Sequence, residues 1–474
     1  MSSAVPLIRV RDIKFSVLPT RTRFPFRYGI AAMTEAPHLF VRSELEIEGI
    51  TAAGIASEGL PPKWFTKNVE TTFEEDDLPG MKRVILQAAG FATEITESLS
   101  FFEFWKALKQ RQESWAKTES IPPLLAQLGT ALMERTVLDG LCRYLEKPLH
   151  HVVSENHIGL DWGEIHPELS DVNPSSVFKN PPLDSVRARH TVGLADPLTD
   201  SEIPDSDRID DGLPHSLVAN IRTYGLTHFK LKLCGNLETD RDRLRELTAL
   251  FSAEAPENYE ITIDGNEQYA DIDAFRDHFL EHRADPEIFP IFDHLLFVEQ
   301  PIHRDFALTD PVKSGFENWP DAPPVIIDES DGEAGSLPRA LELGYVGTSH
   351  KNCKGVVKSL ANRALLNRKG GVMSGEDLAN LGPIALSQDL AVAALLGIDH
   401  VERNGHHYFA GLSMFPESIQ QAVLKCHPDL YAKTETGFPA LRIEQGRIST
   451  GSINAAPFGV GLPVDAFDGF DSWT

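Results

Sequence analysis

The sequence predicts an α/β protein, a (β/α)8 TIM-type barrel carrying an α+β cap built from the N-terminal region and the C-terminal tail. Three observations predict it. From residue 187 onward a strand-like segment recurs about every 25–35 residues, eight times, with a helical segment in most gaps, which is the size of one βα unit. Charged residues stand where those strands end. No G-x-G-x-x-G or G-x-x-x-x-G-K loop follows the first of them, as an open nucleotide-binding sheet would require.

Taken in order, "LIRVRDIKFSVL" and "HLFVRSELEIEG" alternate apolar and polar residues and read as strands. A turn-rich piece, "TRTRFPFRYGIAAMTEAP", lies between them. Residues 82–147 carry apolar residues at helical spacing, in "EFWKALKQRQESWAK" and "LAQLGTALMERTVLDGLCRYL". Residues 150–186 are rich in Pro, Asn, Asp, Ser and His with no sustained period, and read as a loop-rich insertion or linker. The barrel follows over 187–435, with strands "ARHTVGL", "HFKLKL", "YEITIDGN", "HLLFVEQP", "PPVIIDES", "VGTSHKN", "GVMSGED" and "DHVERNG". Residues 436–474 return to β and turn character and are expected to complete a capping domain begun by 1–149.

With 474 residues and 42% hydrophobic content the chain can bury a large core. The formal charge of -26 argues against nucleic acid and anionic membrane as partners. Four scattered cysteines, Cys142, Cys234, Cys353 and Cys426, suit free thiols in a reducing compartment. Met1 opens no signal-like segment, and no apolar run approaches the roughly 18 residues that span a bilayer. The expectation is a soluble cytoplasmic protein.

In "HFKLKL", Phe229, Leu231 and Leu233 share one parity, while Lys230 and Lys232 share the other, so both ammonium groups point to one side. On these residues alone, an edge strand with both lysines in water fits as well. The other strand ends shift that balance. Asp264 and Asn266 end the third strand, Glu299 the fourth, Asp328 and Glu329 the fifth. Lys351 and Lys354 follow the sixth, and Glu402 and Arg403 the eighth. One such Asp is commonly a helix N-cap. Three carboxylates on consecutive strands converge at the barrel mouth, and they repel unless a cation sits among them. Oxygen-only ligands favour a hard cation, Mg2+ first and Mn2+ second. Asn266 and Glu329 read as supports of that site or as caps. Lys232 and Lys351 then face each other across the metal, and crowding by Lys230 would ease loss of a lysine proton. A metal between opposed bases suits removal of the α-proton of a carboxylate through an enediolate.

This ordered set resembles the enolase superfamily, closest to its mandelate racemase and muconate lactonizing enzyme branch. The matching residues are K-L-K (230–232), D-G-N (264–266), V-E-Q-P (298–301), D-E-S (328–330) and Lys351. The resemblance implies Mg2+ ligands Asp264, Glu299 and Asp328, a general base Lys232 with Lys230 assisting, and an opposed acid/base Lys351. D-E-S with a sixth-strand lysine is similar to the muconate lactonizing and dipeptide epimerase types; no histidine stands on the seventh strand for the mandelate racemase pattern. The sixth strand departs from the usual N-I-K-x-x-K, reading S-H-K-N-C-K-G, so Lys354 rivals Lys351. The resemblance also implies two loops closing over the site, 20–35 with Phe24, Phe26, Arg27 and Tyr28, and 59–67 with Lys63 and Trp64. Arg27 or Lys63 would hold a distal anion, and Glu402 the substrate carboxylate. His406 or His407 would protonate a leaving hydroxyl if the reaction is dehydration. The expected partner is a small-molecule carboxylate. Oligomers are common in that family, which leaves a homo-oligomer open. Racemisation or epimerisation leads. Dehydration of a sugar acid or hydroxy acid and cycloisomerisation use the same machinery, and a non-catalytic metal-binding barrel is the reading of another class.

Overall fold

The computed structural model describes residues 5–178 and 180–473. The chain opens with three antiparallel strands, β1 (Ile8–Tyr28), β2 (Ala31–Ile47) and β3 (Ile50–Gly59). Glu48 and Gly49 turn β2 into β3 with both φ angles positive, the geometry that suits the twist of a tight hairpin. Three helices follow: α1 (Leu78–Glu94), α2 (Phe101–Thr118) and α3 (Pro123–Leu145). Helix α3 is buried on nearly every side because it lies against the cap sheet and also reaches the barrel. Its contact with β3 is backbone to backbone: a Cβ on Gly54 would lie 1.9 Å from the Thr136 carbonyl oxygen.

The segment 150–186 starts within a short helix, Leu149–Ser154, and its described residues hold three single 3-10 turns, at Trp162–Glu164, Pro167–Leu169 and Pro174–Ser176. Buried Trp162 and Leu169 anchor them. His166 reaches Asn362 (3.3 Å) on the helix Val356–Lys369, so the segment packs along the outside of the barrel.

The barrel strands are β4 (Ser185–Val192), β5 (His228–Lys232), β6 (Glu260–Asp264), β7 (Leu295–Glu299), β8 (Val325–Ile327), β9 (Gly347–His350), β10 (Val372–Gly375) and β11 (His400–Arg403). All eight pair in parallel, and β11 closes on β4 through Val401 opposite Ala188. The strands are short and buried on both faces, as parallel barrels demand. After a small hairpin of β12 (Tyr431–Lys433) and β13 (Pro439–Leu441), the tail divides its contacts. Strand β14 (Arg447–Ser449) runs antiparallel to barrel strand β4, whereas β15 (Asp471–Ser472) returns to β1 of the cap.

Two sequence expectations change. The segment 20–35 is no loop: β1 and β2 run through it as one long hairpin arm that turns at Gly29, with a register shift between Arg21 and Phe26. The cap also has a third strand, β3, that alternation did not announce. Among the described residues no helix is long and apolar enough to cross a membrane.

Candidate active site

Parallel register lines up the polar strand ends. Lys232 on β5 pairs with Asp264 on β6, and Asp264 with Glu299 on β7, so three chemical groups share one row. Glu299 pairs with Ile326 on β8, which puts Asp328 two residues further on, with the same parity. His350 pairs with Gly375 and Gly375 with Val401, so Lys351, Glu376 and Glu402 follow side by side on β9, β10 and β11. Side chains alternate, so Lys230 and Lys232 enter the barrel while Phe229 and Leu231 pack outward under the helices.

Lys230 is fully buried at the centre. Its ammonium lies 2.7 Å from Glu299, 2.8 Å from Glu402, 3.1 Å from Asp264 and 3.3 Å from Glu376. Lys232, nearer the mouth, donates to Asp264 (2.6 Å). Lys351 donates to both Asp328 oxygens (2.9 Å each) and to Glu376, and its ammonium stands 5.4 Å from the centre of the Trp64 ring. Lys354 meets Asp328 from behind, at 3.0 Å, and donates to Ser349 (2.7 Å); it does not line the cavity.

The expectation that crowding by cations would loosen these lysine protons is reversed at two of them. Burial by itself pushes Lys351 down, but Asp328, Glu376 and Glu299 outweigh it and hold the ammonium well above the usual lysine value. Lys230 is raised in the same way, with burial overcome by Asp264, Glu299, Glu376 and Glu402. The acids divide. Burial lifts Glu299 well above the carboxylate range, helped by Glu376. Burial also lifts Glu376, yet Lys230, Lys351 and Arg189 hold it well below. Glu329 is pushed up to about 8 by burial, with Glu267 and Asp328 adding to it.

One oxygen each of Glu299, Asp328 and Glu376 lies within 4.8 Å of the others, a buried donor set suited to a hard cation. This differs from the expected trio. Asp264 stands outside the tight group because Lys232 and Lys230 draw its carboxylate to their side. Glu376 enters from β10, pinned from behind by Ser374 (2.7 Å) and Arg189 (3.2 Å). The seventh strand, which offers no histidine, brings this carboxylate instead. The available signal was position: Glu376 follows Gly375 at the strand end as Asp328 follows Ile327.

The remaining expected residues fall in three places. Asn266, Glu329, Glu402, Tyr28, Lys63 and Trp64 all line the cavity at the barrel mouth. Asn266 donates its backbone N–H to Asp264 (2.8 Å) from a strained conformation, φ +45°. Glu402 accepts from Thr191 (2.6 Å) as well as Lys230. Arg27 lies elsewhere. Strand alternation turns it away from Phe26 and Tyr28 into an outer groove. His406 and His407 are buried beside the cavity and do not line it; His406 bonds His190 (3.0 Å).

Comparison with known proteins gives fold and no more. No protein-family model and no curated protein matches the chain. Solved structures do, over nearly its whole length. A mandelate racemase/muconate lactonizing protein from Herpetosiphon aurantiacus is 17% identical, with TM-score 0.60, covering 96% of this chain and 99% of that one. A muconate lactonizing enzyme from Pseudomonas fluorescens, complexed with muconolactone, is 15% identical with TM-score 0.59, over 98% and 99%. A dipeptide epimerase from Enterococcus faecalis V583, complexed with Mg and the dipeptide L-Leu-L-Tyr, is 15% identical with TM-score 0.59, over 95% and 99%. The fold is therefore the capped barrel of enolase-superfamily proteins of the mandelate racemase and muconate lactonizing type.

Proposed function

We propose that this protein is a Mg2+-dependent enzyme that removes the α-proton of a carboxylate substrate and returns a proton to the opposite face of the same carbon, as a racemase or epimerase. The observation that carries the reading is the placement of Lys232 and Lys351. They rise from β5 and β9, four strands apart in a ring of eight and so across the mouth from each other, with acid-bearing β6, β7 and β8 between them. The donor set fits the ion, being all oxygen, buried and closely spaced. Glu299, Asp328 and Glu376 would hold it as they stand, and Asp264, the first expected ligand, would join them on release from Lys232 and Lys230. Bound there, Mg2+ supplies fixed positive charge for a substrate carboxylate as negative charge builds on it.

The chain's own groups do the rest. As the Cα–H bond breaks, its proton passes to the Lys232 amine and its electron pair spreads into the carboxylate, giving the enediolate. Lys230, locked among four acids, provides a cation beneath that charge. The Lys351 ammonium then delivers a proton to the other face. Trp64 above Lys351 keeps water from this side. Dehydration is less well served, because His406 and His407 lie outside the cavity.

The test is proton exchange in D2O with Mg2+ and a panel of α-chiral carboxylic acids, followed by NMR and chiral separation. The expected result is deuterium at the α-carbon of recovered acid together with its antipode, both abolished by EDTA. A keto acid formed without deuterated substrate would instead identify a dehydratase. No exchange from a protein that binds Mg2+ would overturn the enzymatic reading.

A further inference from the structure

We infer that the site selects a monocarboxylate whose remaining part is uncharged and apolar, and discriminates against dicarboxylates and polyhydroxy acids; the inference rests on the proton-transfer reading above.

The first argument is the commitment of every cation on the cavity wall. A second substrate carboxylate would need a positive partner at the lid side, away from the metal ligands. Lys63 is there, but its ammonium is closed against Asp77 (2.9 Å) and Thr71 (3.1 Å). Lys67 is there too, held by Glu267 (2.7 Å) and the Asn266 carbonyl (3.0 Å). Glu267 is itself clamped by Arg304 (2.7 and 2.8 Å), which also ties down the Trp64 carbonyl (3.0 Å). Arg27 faces the outer groove. A distal anion would therefore lose its water and gain no cation, while facing Glu402 and Asp377 on the wall.

The second argument is the lid itself. Phe26, Tyr28, Ile30, Met33, Trp64 and Leu378 cover the mouth. Phe26 is fixed by stacking on Tyr408, with centroids 4.0 Å apart. The Tyr28 hydroxyl, one polar tip on this surface, already donates to the Pro62 carbonyl (2.7 Å). Substrate hydroxyls pressed against these apolar side chains would go without partners, the cavity's acceptors Asp377, Glu402 and Asn404 lying at the strand ends, whereas methylene or aromatic groups would be buried favourably.

The test uses three acids of equal chain length, ending in a methyl or phenyl group, in a second carboxylate, or in hydroxyls. Exchange rates and calorimetric Kd are both measured on the Mg2+-loaded protein. The expected result is a kcat/KM and an affinity at least about tenfold better for the apolar acid. The Ile30→Lys variant, at a lid-tip residue 43% exposed and so tolerant of change, should raise the dicarboxylate's relative rate by about tenfold. Equal or better handling of the dicarboxylate or hydroxylated acid by the unaltered protein overturns this inference while leaving the proton-transfer reading intact. Preferential binding of the apolar acid without exchange does the reverse, sustaining the selectivity and overturning the chemistry.

Discussion

Lys351 and Lys354 are one turn apart and grip the same Asp328 carboxylate, yet they face different media. Lys351 looks into the cavity beneath Trp64, while Lys354 is wholly enclosed between Asp328 and Ser349. Lys351→Ala should therefore lose about a thousandfold or more in exchange rate. Lys354→Ala should lose about 3 kcal/mol of stability in urea titration, because it takes one of two cations from buried Asp328 at a point that no solvent reaches. A stable but inactive Lys354→Ala would exchange the two roles. Residues of this kind were legible where a strong apolar strand precedes them: "EITID", "LLFVE" and "VII" each lead straight into an acid. Glu376 was not, because β10 is only Val372–Gly375 and offers a single fully apolar pair before the acid. Arg189 was equally hidden, being a charged residue inside β4 whose partner Glu376 lies 187 residues away.

At the scale of elements, the hairpin arm shows how distant contacts override local signals. A proline and a glycine in "TRTRFPFRYG" spell a turn, and the register does slip between Arg21 and Phe26. The strands persist because the arm is fastened at its middle. Arg23 makes a two-pronged contact with Asp211 (2.6 and 2.9 Å) and donates to the carbonyls of Leu213, Pro214 and His407. Phe24 stacks on His215 next to it, with centroids 4.2 Å apart. None of these partners is near in sequence, so no local pattern announces them. Arg23→Ala should free the arm, and protease cleavage within 20–35 should speed up while the barrel resists. Substrate KM should rise by about tenfold with a smaller change in kcat, since the arm covers the site without touching the lysines. Unaltered cleavage would show that Phe26 on Tyr408 holds the arm unaided.

At the scale of the molecule, the cap and the barrel are joined through buried polar groups. Glu134 of α3 accepts from the Val357 N–H at the start of a barrel helix, and next to it, within the cap, Arg135 of α3 pairs with Glu58 (2.6 Å) at the end of β3. Gly59 donates to Asn380 (2.9 Å) of the barrel. Beside this seam His38 is bonded to Ser57 (2.7 Å), and burial, with Arg135 adding, pushes its ring down to about 3. The unfolded ring takes its proton near the ordinary 6.5 and the folded one does not until about 3. Its effect is nil above pH 6.5 and becomes a growing loss of stability as pH falls from 6.5 toward 3. Against a His38→Gln variant, the unaltered protein should thus lose ~2 kcal/mol of relative stability between pH 7 and pH 5, read from urea midpoints. Equal slopes for the two proteins would show that His38 titrates normally. The βα rhythm made the barrel legible from sequence, because each unit is local. The seam was not, because it is built from residues whose burial only the assembled fold creates.

The return of the tail carries a consequence for how the protein is made. Arg42 in β2 pairs with Asp468 across 426 residues of chain, and β15 next to it covers the free edge of β1 at Ser16 and Val17. A ribosome delivers the cap strands first and their seal last. Throughout synthesis β1 presents an unpaired edge, the kind of surface on which nascent chains associate with one another. The cap is begun well before the barrel and finished only when residues 468–472 emerge, so deleting those few residues is expected to harm yield from cells more than it harms the chemistry of molecules that do fold.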